Sequence, residues 1–243
     1  MVDHDRGNPY DDPARAASYA GLDFPGTYYL AYRDLPDLIA RHAGGVRALD
    51  FGCGAGRSTR FLRGLGFSAV GVDISAPMID AARARDPDGD YRVVPPGNLT
   101  GLPAGGYDLI LSVFPFDNIA TTELKAAIFR ALRSRLAAGG AIINVSAAPA
   151  VYLNEWVSFS TRDFPGNRFA ANGDPVSAVM LDGADRRPVT DVLWTDEGRR
   201  EVYRAAGLTP VETCRPLGRD DEPFPWVTER TISPWQIDVL QSV

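Results

Sequence analysis

The feature that most constrains the fold of this chain is a short apolar run followed by three glycines at alternate positions. Val46–Leu49 forms the run, Asp50 ends it, and the glycines are Gly52, Gly54 and Gly56. Three side chains share one face of the helix predicted after them: Phe61, Leu62 and Leu65. Strand, glycine loop and helix in this order open a βαβ unit that binds nucleotides. Glycine lets a ligand approach the backbone, and the helix start attracts a negative or electron-rich group.

The spacing of the glycines separates two kinds of nucleotide site. A dinucleotide fingerprint requires G-x-G-x-x-G, but Arg57 stands where the third glycine would fall. The D-x-G-x-G-x-G pattern that is present resembles motif I of the class I S-adenosyl-L-methionine-dependent methyltransferases. The resemblance implies that Asp50 and the backbone of Gly52, Cys53 and Gly54 hold the amino-acid end of S-adenosyl-L-methionine.

A second acidic residue supports that resemblance. Asp73 lies near the end of the predicted strand Ala69–Ile74, 23 residues after Asp50. A carboxylate about 20 residues further along is the one that meets ribose hydroxyls in such folds. An ionised carboxylate can accept two hydrogen bonds from a vicinal diol. Ile74 and Met78 would then flank the adenine ring. In the alternative interpretation, Asp73 caps a helix and Met78 packs in the core.

A tyrosine-rich helix is predicted in front of the glycine loop. Tyr28, Tyr32, Leu35 and Ile39 follow one another at steps of four, three and four. The segment resembles the one that closes over the cofactor in small-molecule methyltransferases, which implies that Tyr28 and Arg33 meet the methionine carboxylate. The alternative is a core stripe of tyrosines with a solvated arginine.

Two further segments resemble cofactor-binding motifs of the family. Gly97–Pro103 resembles motif III, with Asn98 where an acidic residue usually approaches the adenine amino group. The amide oxygen of Asn98 can still accept that hydrogen bond, and the backbone of Leu99 offers another. Tyr107-Asp-Leu-Ile followed by the small polar Ser112 matches motif IV.

The resemblance predicts a single α/β domain over residues 1–243. It implies a Rossmann-like sheet of seven strands in the order 3-2-1-4-5-7-6, with the last strand antiparallel and helices on both faces. Residues 1–45 are expected to form a helical cap segment. Residues 149–194 replace a short connection after strand 5, and an insertion of this length is typical of a functional lid. Within it, residues 176–181 and 188–194 predict a β-hairpin.

The chemistry of the acceptor side is less constrained. Methyl transfer needs alignment of the reactants, and a general base only if a hydroxyl or carbon acid is methylated. Asp117, after the fourth strand, is the candidate base; the alternatives are a helix cap or a contact to the cofactor's amino group. Tyr152 and Glu155 are further candidates. Phe116, Tyr152 and Trp156 are expected to contact an apolar or aromatic acceptor, although lid aromatics can also serve only for packing.

Composition excludes several other functions. A net charge of −6 argues against nucleic acid as a partner, and the chain has no apolar stretch of membrane-spanning length. Two cysteines and an N-terminus without a signal-peptide core predict a cytoplasmic protein. No cluster has metal-ligand spacing, so no metal is expected. The predicted function is methyl transfer to an O, N or C atom of a small molecule, with a homodimer left open. The alternative is a methyltransferase-like protein that catalyses a cyclisation or only binds its substrate.

Overall fold

The computed structural model describes residues 9–242. Predictions for residues 1–8, part of the expected cap segment, lie outside the described residues. The strands of the described chain are β1 (Arg47–Phe51), β2 (Ser68–Asp73), β3 (Asp90–Val93), β4 (Tyr107–Val113), β5 (Leu136–Ala147), β6 (Phe159–Ser160), β7 (Pro175–Met180), β8 (Val189–Val192), β9 (Leu208–Cys214) and β10 (Trp235–Ser242). The helices are α1 (Pro13–Ala20), α2 (Thr27–Arg33), α3 (Leu35–His42), α4 (Arg57–Gly64), α5 (Ala76–Arg85), α6 (Thr122–Arg133) and α7 (Asp196–Ala206).

The main sheet has the predicted topology. Its seven strands lie in the order β3-β2-β1-β4-β5-β10-β9. The first five run parallel, and β10 is antiparallel to both of its neighbours. Because β9 and β10 are the sixth and seventh strands of this sheet along the chain, the predicted order 3-2-1-4-5-7-6 is confirmed.

The central strands are buried on both faces, which is why they read as continuous apolar runs. Along β4, Leu109 and Leu111 pack on one side with α2, α3 and Leu62 of α4. Ile110 between them packs on the opposite side with α6 and α7. The period of two along the strand therefore divides the core into two layers, one on each face of the sheet.

The insertion after β5 forms a second, smaller sheet. Its strands lie in the order β6-β7-β8. The hairpin pairs β7 with β8 from Pro175 opposite Val192 to Ala178 opposite Val189. It therefore lies where the sequence predicts a hairpin, and residues 181–188 connect its two strands.

The connection between β7 and β8 is bound to the N-terminal helix. Arg15 Nε donates to Asp185 Oδ2 at 3.1 Å, and Arg187 Nη1 donates to Asp12 Oδ2 at 2.6 Å. The backbone N–H of Asp185 also donates to Ser18 Oγ at 3.2 Å. We refer to these five residues as the clasp. It joins a segment before the first strand to the insertion after the fifth.

None of the helices within residues 9–242 has the length and apolar character needed to cross a lipid bilayer.

Candidate cofactor and acceptor site

The glycine loop connects β1 to α4 at the carboxyl edge of the sheet. Gly52, Gly54 and Gly56 all have positive φ, at 71°, 51° and 79°. A Cβ on Gly52 would lie 2.5 Å from Cβ of Pro115, in the turn that follows β4. The loop therefore needs glycine at this position both for its backbone conformation and for its contact with the next strand's turn.

Asp73, at the end of β2, lies against the loop. Its Oδ2 accepts a hydrogen bond from Gly54 N at 2.8 Å, and its Oδ1 accepts one from Ser75 N at 2.9 Å. Burial raises the pKa of Asp73 above its usual value, although these backbone donors act in the opposite direction. Met78 is buried on the far side of Gly54, whereas Ile74 is 46% exposed. The structure thus brings Asp73, Ile74 and Met78 together beside the loop, and Asp73 also holds the start of α5.

Two buried polar atoms beside the loop have no partner in the described part of the chain. Asp50 Oδ2 accepts hydrogen bonds from the hydroxyls of Ser58 and Thr59, both at 2.6 Å, but its Oδ1 accepts none. Ser112 Oγ is also unpartnered, and Ser112 pairs with Phe51 across β4 and β1. Burial raises the pKa of Asp50 to about 6 despite the two hydroxyl donors. Buried polar atoms normally have partners, so these two atoms indicate a ligand.

A buried arginine supplies positive charge at the same place. Arg57, the first residue of α4, is 9% exposed and lies among four aromatic rings at 5.1–5.7 Å from their centroids. The rings belong to Tyr19, Phe24, Tyr28 and Tyr32. Its guanidinium donates to the hydroxyl of Tyr19 at 3.1 Å and to the carbonyl of Leu22 at 3.4 Å. The sequence identified Arg57 only as a departure from the dinucleotide pattern, not as a site residue.

Arg33, which is predicted to meet the cofactor carboxylate, is held by acceptors of the protein itself. Its Nε and Nη2 donate to the two oxygens of Asp34, both at 2.8 Å, and its Nη1 donates to Glu222 and to the carbonyl of Leu217. The guanidinium fork is therefore already occupied by protein acceptors. Tyr28 does border the site with its ring, but its hydroxyl donates to Met180 Sδ at 3.3 Å.

The predicted adenine contact at Asn98 is weakened by the local turn. Asn98 is exposed, and its Oδ1 accepts from both the backbone N–H and the hydroxyl of Thr100, at 3.0 and 2.7 Å. The oxygen that would meet an adenine amino group therefore closes its own turn. Leu99 is buried in the core.

The cavity beside the loop is small because the N-terminal segment covers it. Its volume is about 30 Å³, and it lies between Gly52–Ala55 and Arg57 on one side and Tyr19, Leu22 and Tyr32 on the other. Small-molecule sites usually measure about 300–1,000 Å³. The segment around α1 must therefore move before a nucleoside can bind.

The residues around this cavity fit S-adenosyl-L-methionine. Unpartnered Asp50 Oδ1 and Ser112 Oγ suit its ammonium, Arg57 suits its carboxylate, and Asp73 suits a diol. A pyrophosphate would instead face the buried carboxylate of Asp50 and the half-buried carboxylate of Asp73, which disfavours a nicotinamide dinucleotide.

Two predicted acceptor contacts are core residues. Phe116 has no exposed surface and stacks on Phe129 with ring centroids 4.0 Å apart. Trp156 is 2% exposed, and its Nε1 donates to the carbonyl of Val151 at 2.8 Å. Both rings pack against the sheet and the lid, and their contact with an acceptor stays a prediction. Glu155, a further candidate base, accepts hydrogen bonds from Thr161 N and Ser160 Oγ of the lid.

Buried charged groups surround Asp117 and Tyr152. Asp117 is 4% exposed, and its Oδ2 accepts from Ala147 N at 3.0 Å. Tyr152 donates its hydroxyl to Asp191 Oδ2 of β8 at 3.0 Å. Lys125 of α6 is 2% exposed and lies over the ring of Trp194. Lys125 and Asp191 could not be predicted as site residues, because neither lies in a recognisable motif.

The pKa values of these groups respond to burial and to one another. Burial raises the pKa of Asp117 to about 6. Burial, together with repulsion from Asp117, raises the pKa of Asp191 to about 7. Burial lowers the pKa of Lys125 to about 8. The acceptor side of the site therefore contains groups able to exchange protons near neutral pH.

Comparison with known sequences identifies the domain. Residues 48–140 match the family described as "Methyltransferase domain". A ubiquinone biosynthesis O-methyltransferase from Burkholderia ambifaria is 27% identical over 146 residues, which cover 58% of this chain and 55% of that protein. An 18S rRNA (guanine-N(7))-methyltransferase from Mus musculus is 32% identical over 80 residues, covering 33% of this chain and 28% of that protein. The chain thus spans about half or less of the length of these curated relatives.

Solved structures share the whole fold. The CcbJ methyltransferase from Streptomyces caelestis superposes with a TM-score of 0.68 at 20% identity, covering 96% of this chain and 98% of that chain. The DhpI–SAH complex superposes with a TM-score of 0.57 at 18% identity, covering 95% and 92%. Residues 48–140 therefore match a methyltransferase domain, in agreement with the predicted family, and the predicted fold is confirmed.

Proposed function

We propose that this protein transfers a methyl group from S-adenosyl-L-methionine to a small-molecule acceptor. The observation that carries the proposal is the pair of unpartnered buried atoms, Asp50 Oδ1 and Ser112 Oγ, beside a glycine loop held by Asp73. Together with Arg57, they offer one binding group for each polar part of the cofactor.

The proposed cofactor site combines the predicted residues with Arg57. Gly52, Cys53 and Gly54 form its floor, Asp73 and Asn98 lie towards the nucleoside, and Ile74, Met78 and Leu99 provide apolar surface. When bound, S-adenosyl-L-methionine supplies an electrophilic methyl carbon. The protein's own part is to orient the reactants and exclude water, for which residues 1–45 would act as a cap and residues 149–194 as a lid.

The small-molecule nature of the acceptor is supported by charge and by the insertion. The net charge of −6 disfavours a polyanionic substrate. One relative is named as an rRNA methyltransferase, but the match to it covers only 33% of this chain and 28% of that protein. A cytoplasmic location and a homodimer stay predictions.

The cofactor site is tested by titration calorimetry with S-adenosyl-L-methionine. Asp73→Ala removes the proposed diol acceptor and one support of the loop, so we expect affinity to fall at least ~10-fold. Asp80→Ala, at an exposed position of α5, is the matched control and should bind as the wild type does. Unchanged affinity in the Asp73 variant, or saturable binding of NADH in place of S-adenosyl-L-methionine, would contradict the proposed site.

The alternative, a cyclase or a binding protein that uses the same cofactor site, is motivated by the long lid and by the lack of a sequence motif for a general base. Asp117 and Asp191 supply carboxylates on the acceptor side, which favours methyl transfer. Incubation with a labelled methyl donor and candidate acceptors distinguishes the two, since the alternative expects no transfer of label.

A further inference from the structure

The buried charges around Asp117 do not neutralise one another by contact. Lys125 Nζ lies 4.4 Å from the centroid of Trp194 and, within residues 9–242, forms no ion pair with either Asp117 or Asp191. Yet both carboxylates alter the pKa of Lys125, and Asp117 and Lys125 alter the pKa of Asp191. The ammonium is therefore close enough to both carboxylates to interact but lies beyond ion-pair distance of each. Buried charges separated in this way are stabilised by a polar group that hydrogen-bonds to more than one of them.

In both Asp117 and Asp191, one carboxylate oxygen accepts a hydrogen bond from the protein and the other accepts none from the described residues. Ala147 N occupies Asp117 Oδ2, and the Tyr152 hydroxyl occupies Asp191 Oδ2. In the described part of the chain, no donor reaches Oδ1 of either aspartate. Asp191 is also the less buried of the two. It is consequently the carboxylate that an incoming ligand can reach.

The set adjoins the proposed cofactor site. Asp117 lies two residues after Pro115, whose ring packs against Gly52 of the glycine loop. Asp191 lies on β8, which packs against the turn Pro115–Asn118 that carries Asp117. An acceptor placed between the lid and the loop would thus meet Asp191 and the cofactor side together.

We infer that Asp191 accepts the proton of a hydroxyl group on the acceptor, and hence that the enzyme methylates oxygen. The inference rests on the proposed methyltransferase function. The acceptor oxygen forms a bond to the methyl carbon, the carbon–sulfur bond breaks with its electron pair left on sulfur, and the hydroxyl proton passes to Asp191 Oδ1. Solvent later removes that proton, which regenerates the carboxylate.

The charges facing Asp191 favour a hydroxyl over an amine. Lys125 lies on one side, and Arg199, which is 1% exposed and donates to Ser146 and Asp196, lies behind Asp117. Asp196 also pairs with Arg215, so three cations offset three carboxylates, and the pocket has no net negative field to hold an ammonium ion. A neutral hydroxyl can donate to Asp191 and accept from Lys125 at no electrostatic cost. A protonation equilibrium near neutrality also suits a group that removes a hydroxyl proton.

The first measurement does not depend on turnover. Carbon-13 NMR of carboxyl-labelled aspartate should show Asp191 titrating well above the usual range for aspartate. Asp117→Asn keeps the acceptor for Ala147 N but removes a negative charge, so the midpoint of Asp191 should fall in that variant. Addition of phenol should shift the Asp191 resonance. An Asp191 with an ordinary midpoint that ignores both Asp117→Asn and phenol would overturn the inference.

The second measurement follows transfer of labelled methyl from S-adenosyl-L-methionine to matched phenols and anilines, and to matched alcohols and alkylamines. We expect label in hydroxyl compounds and a rate that rises with pH. Asp191→Asn should lower that rate ~100-fold or more and flatten the pH profile. Tyr152→Phe, which removes only the hydrogen bond to Asp191, should cost a few-fold, and Asp80→Asn, at an exposed position of α5, should change nothing.

The outcomes separate this inference from the proposed function. Label in amines only, an Asp191→Asn variant with the wild-type rate and profile, or cofactor binding without transfer to any hydroxyl compound would each overturn the role of Asp191. Failure of the wild type to bind S-adenosyl-L-methionine by calorimetry would instead overturn the proposed function itself.

Discussion

The glycine loop and the lid hairpin both border the candidate site, but they are held in different ways. The loop is fixed by its own neighbours: Gly52 N and Cys53 N donate to the carbonyl of Val72, and Gly54 N donates to Asp73. The hairpin of β7 and β8 is bound to the N-terminal segment through the side chains of the clasp. Backbone hydrogen bonds therefore preform the glycine loop, residues 52–56, which we call the floor of the site. Ion pairs between distant segments hold α1 and the hairpin, which we call the cover, and such pairs can open.

The largest expected effect comes from breaking the floor. Gly52→Val places a side chain 2.5 Å from Pro115 at a φ of 71°. We expect a loss of about 2–4 kcal/mol in the free energy of unfolding and loss of S-adenosyl-L-methionine binding. Chemical denaturation and calorimetry measure both. Gly166→Ala, at a position with open space around it, should leave both unchanged. A Gly52→Val protein that binds the cofactor normally would show that the loop is not the floor.

A second prediction concerns the positive charge of Arg57, which lies between the glycine loop and the N-terminal segment. Arg57→Met removes the buried cation but keeps an apolar side chain, so we expect S-adenosyl-L-homocysteine to bind roughly 10- to 100-fold more weakly. 5′-Methylthioadenosine, which lacks the amino-acid end, should bind equally well to both proteins. Arg33→Met should change neither affinity, because Arg33 is paired with Asp34 and Glu222. Equal losses for both ligands would place Arg57 in a packing role only.

The third prediction is a dependence of stability on pH that arises in the floor. The pKa of buried Asp50 is about 6, above the usual value of about 4. Its stabilising contribution is therefore complete below about pH 4 and is lost as the pH rises through 6. Asp50→Asn keeps an acceptor for Ser58 and Thr59 but carries no charge. We expect it to be about 2 kcal/mol more stable than the wild type at pH 8, with little difference at pH 4. Denaturation curves at both pH values measure this, and equal differences at the two would contradict it.

The smallest expected effect comes from loosening the cover. Arg187→Ala removes two partly exposed ion pairs of the clasp, with Asp12 and Asp185. Stability should change by about 1 kcal/mol or less. Association of S-adenosyl-L-homocysteine, followed by tryptophan fluorescence in a stopped-flow instrument, should become several-fold faster. Added salt should accelerate the wild type and not the variant. Arg92→Ala, which breaks an exposed pair with Asp90 on β3, is the control. An unchanged association rate in Arg187→Ala would mean that α1 opens without the clasp.

The sequence predicted the floor well because its signals are local. The strands, the loop glycines and the position of Asp73 next to the loop follow from spacing along fewer than 30 residues. The order of the sheet required the family resemblance, since β10 inserts between β5 and β9 from the end of the chain.

The cover and the acceptor side were predicted poorly because their contacts join distant segments. Arg33 lies on the predicted helix, but Glu222, far along the chain, pairs with it and turns it from the site. Arg57 becomes a site residue only because the tyrosines of the N-terminal segment enclose it. Aromatic composition could not tell Phe116 and Trp156, which pack in the core, from Tyr152, which hydrogen-bonds to Asp191.

The hairpin carries both Asp185, at its tip, and Asp191, on its second strand. Release of the N-terminal helix to exchange one nucleoside for another therefore frees the same hairpin that presents the proton acceptor. We therefore expect that the nucleoside cannot exchange while the hairpin holds Asp191 at the acceptor. Each turnover should follow a compulsory order, in which the nucleoside binds before the acceptor and leaves after it.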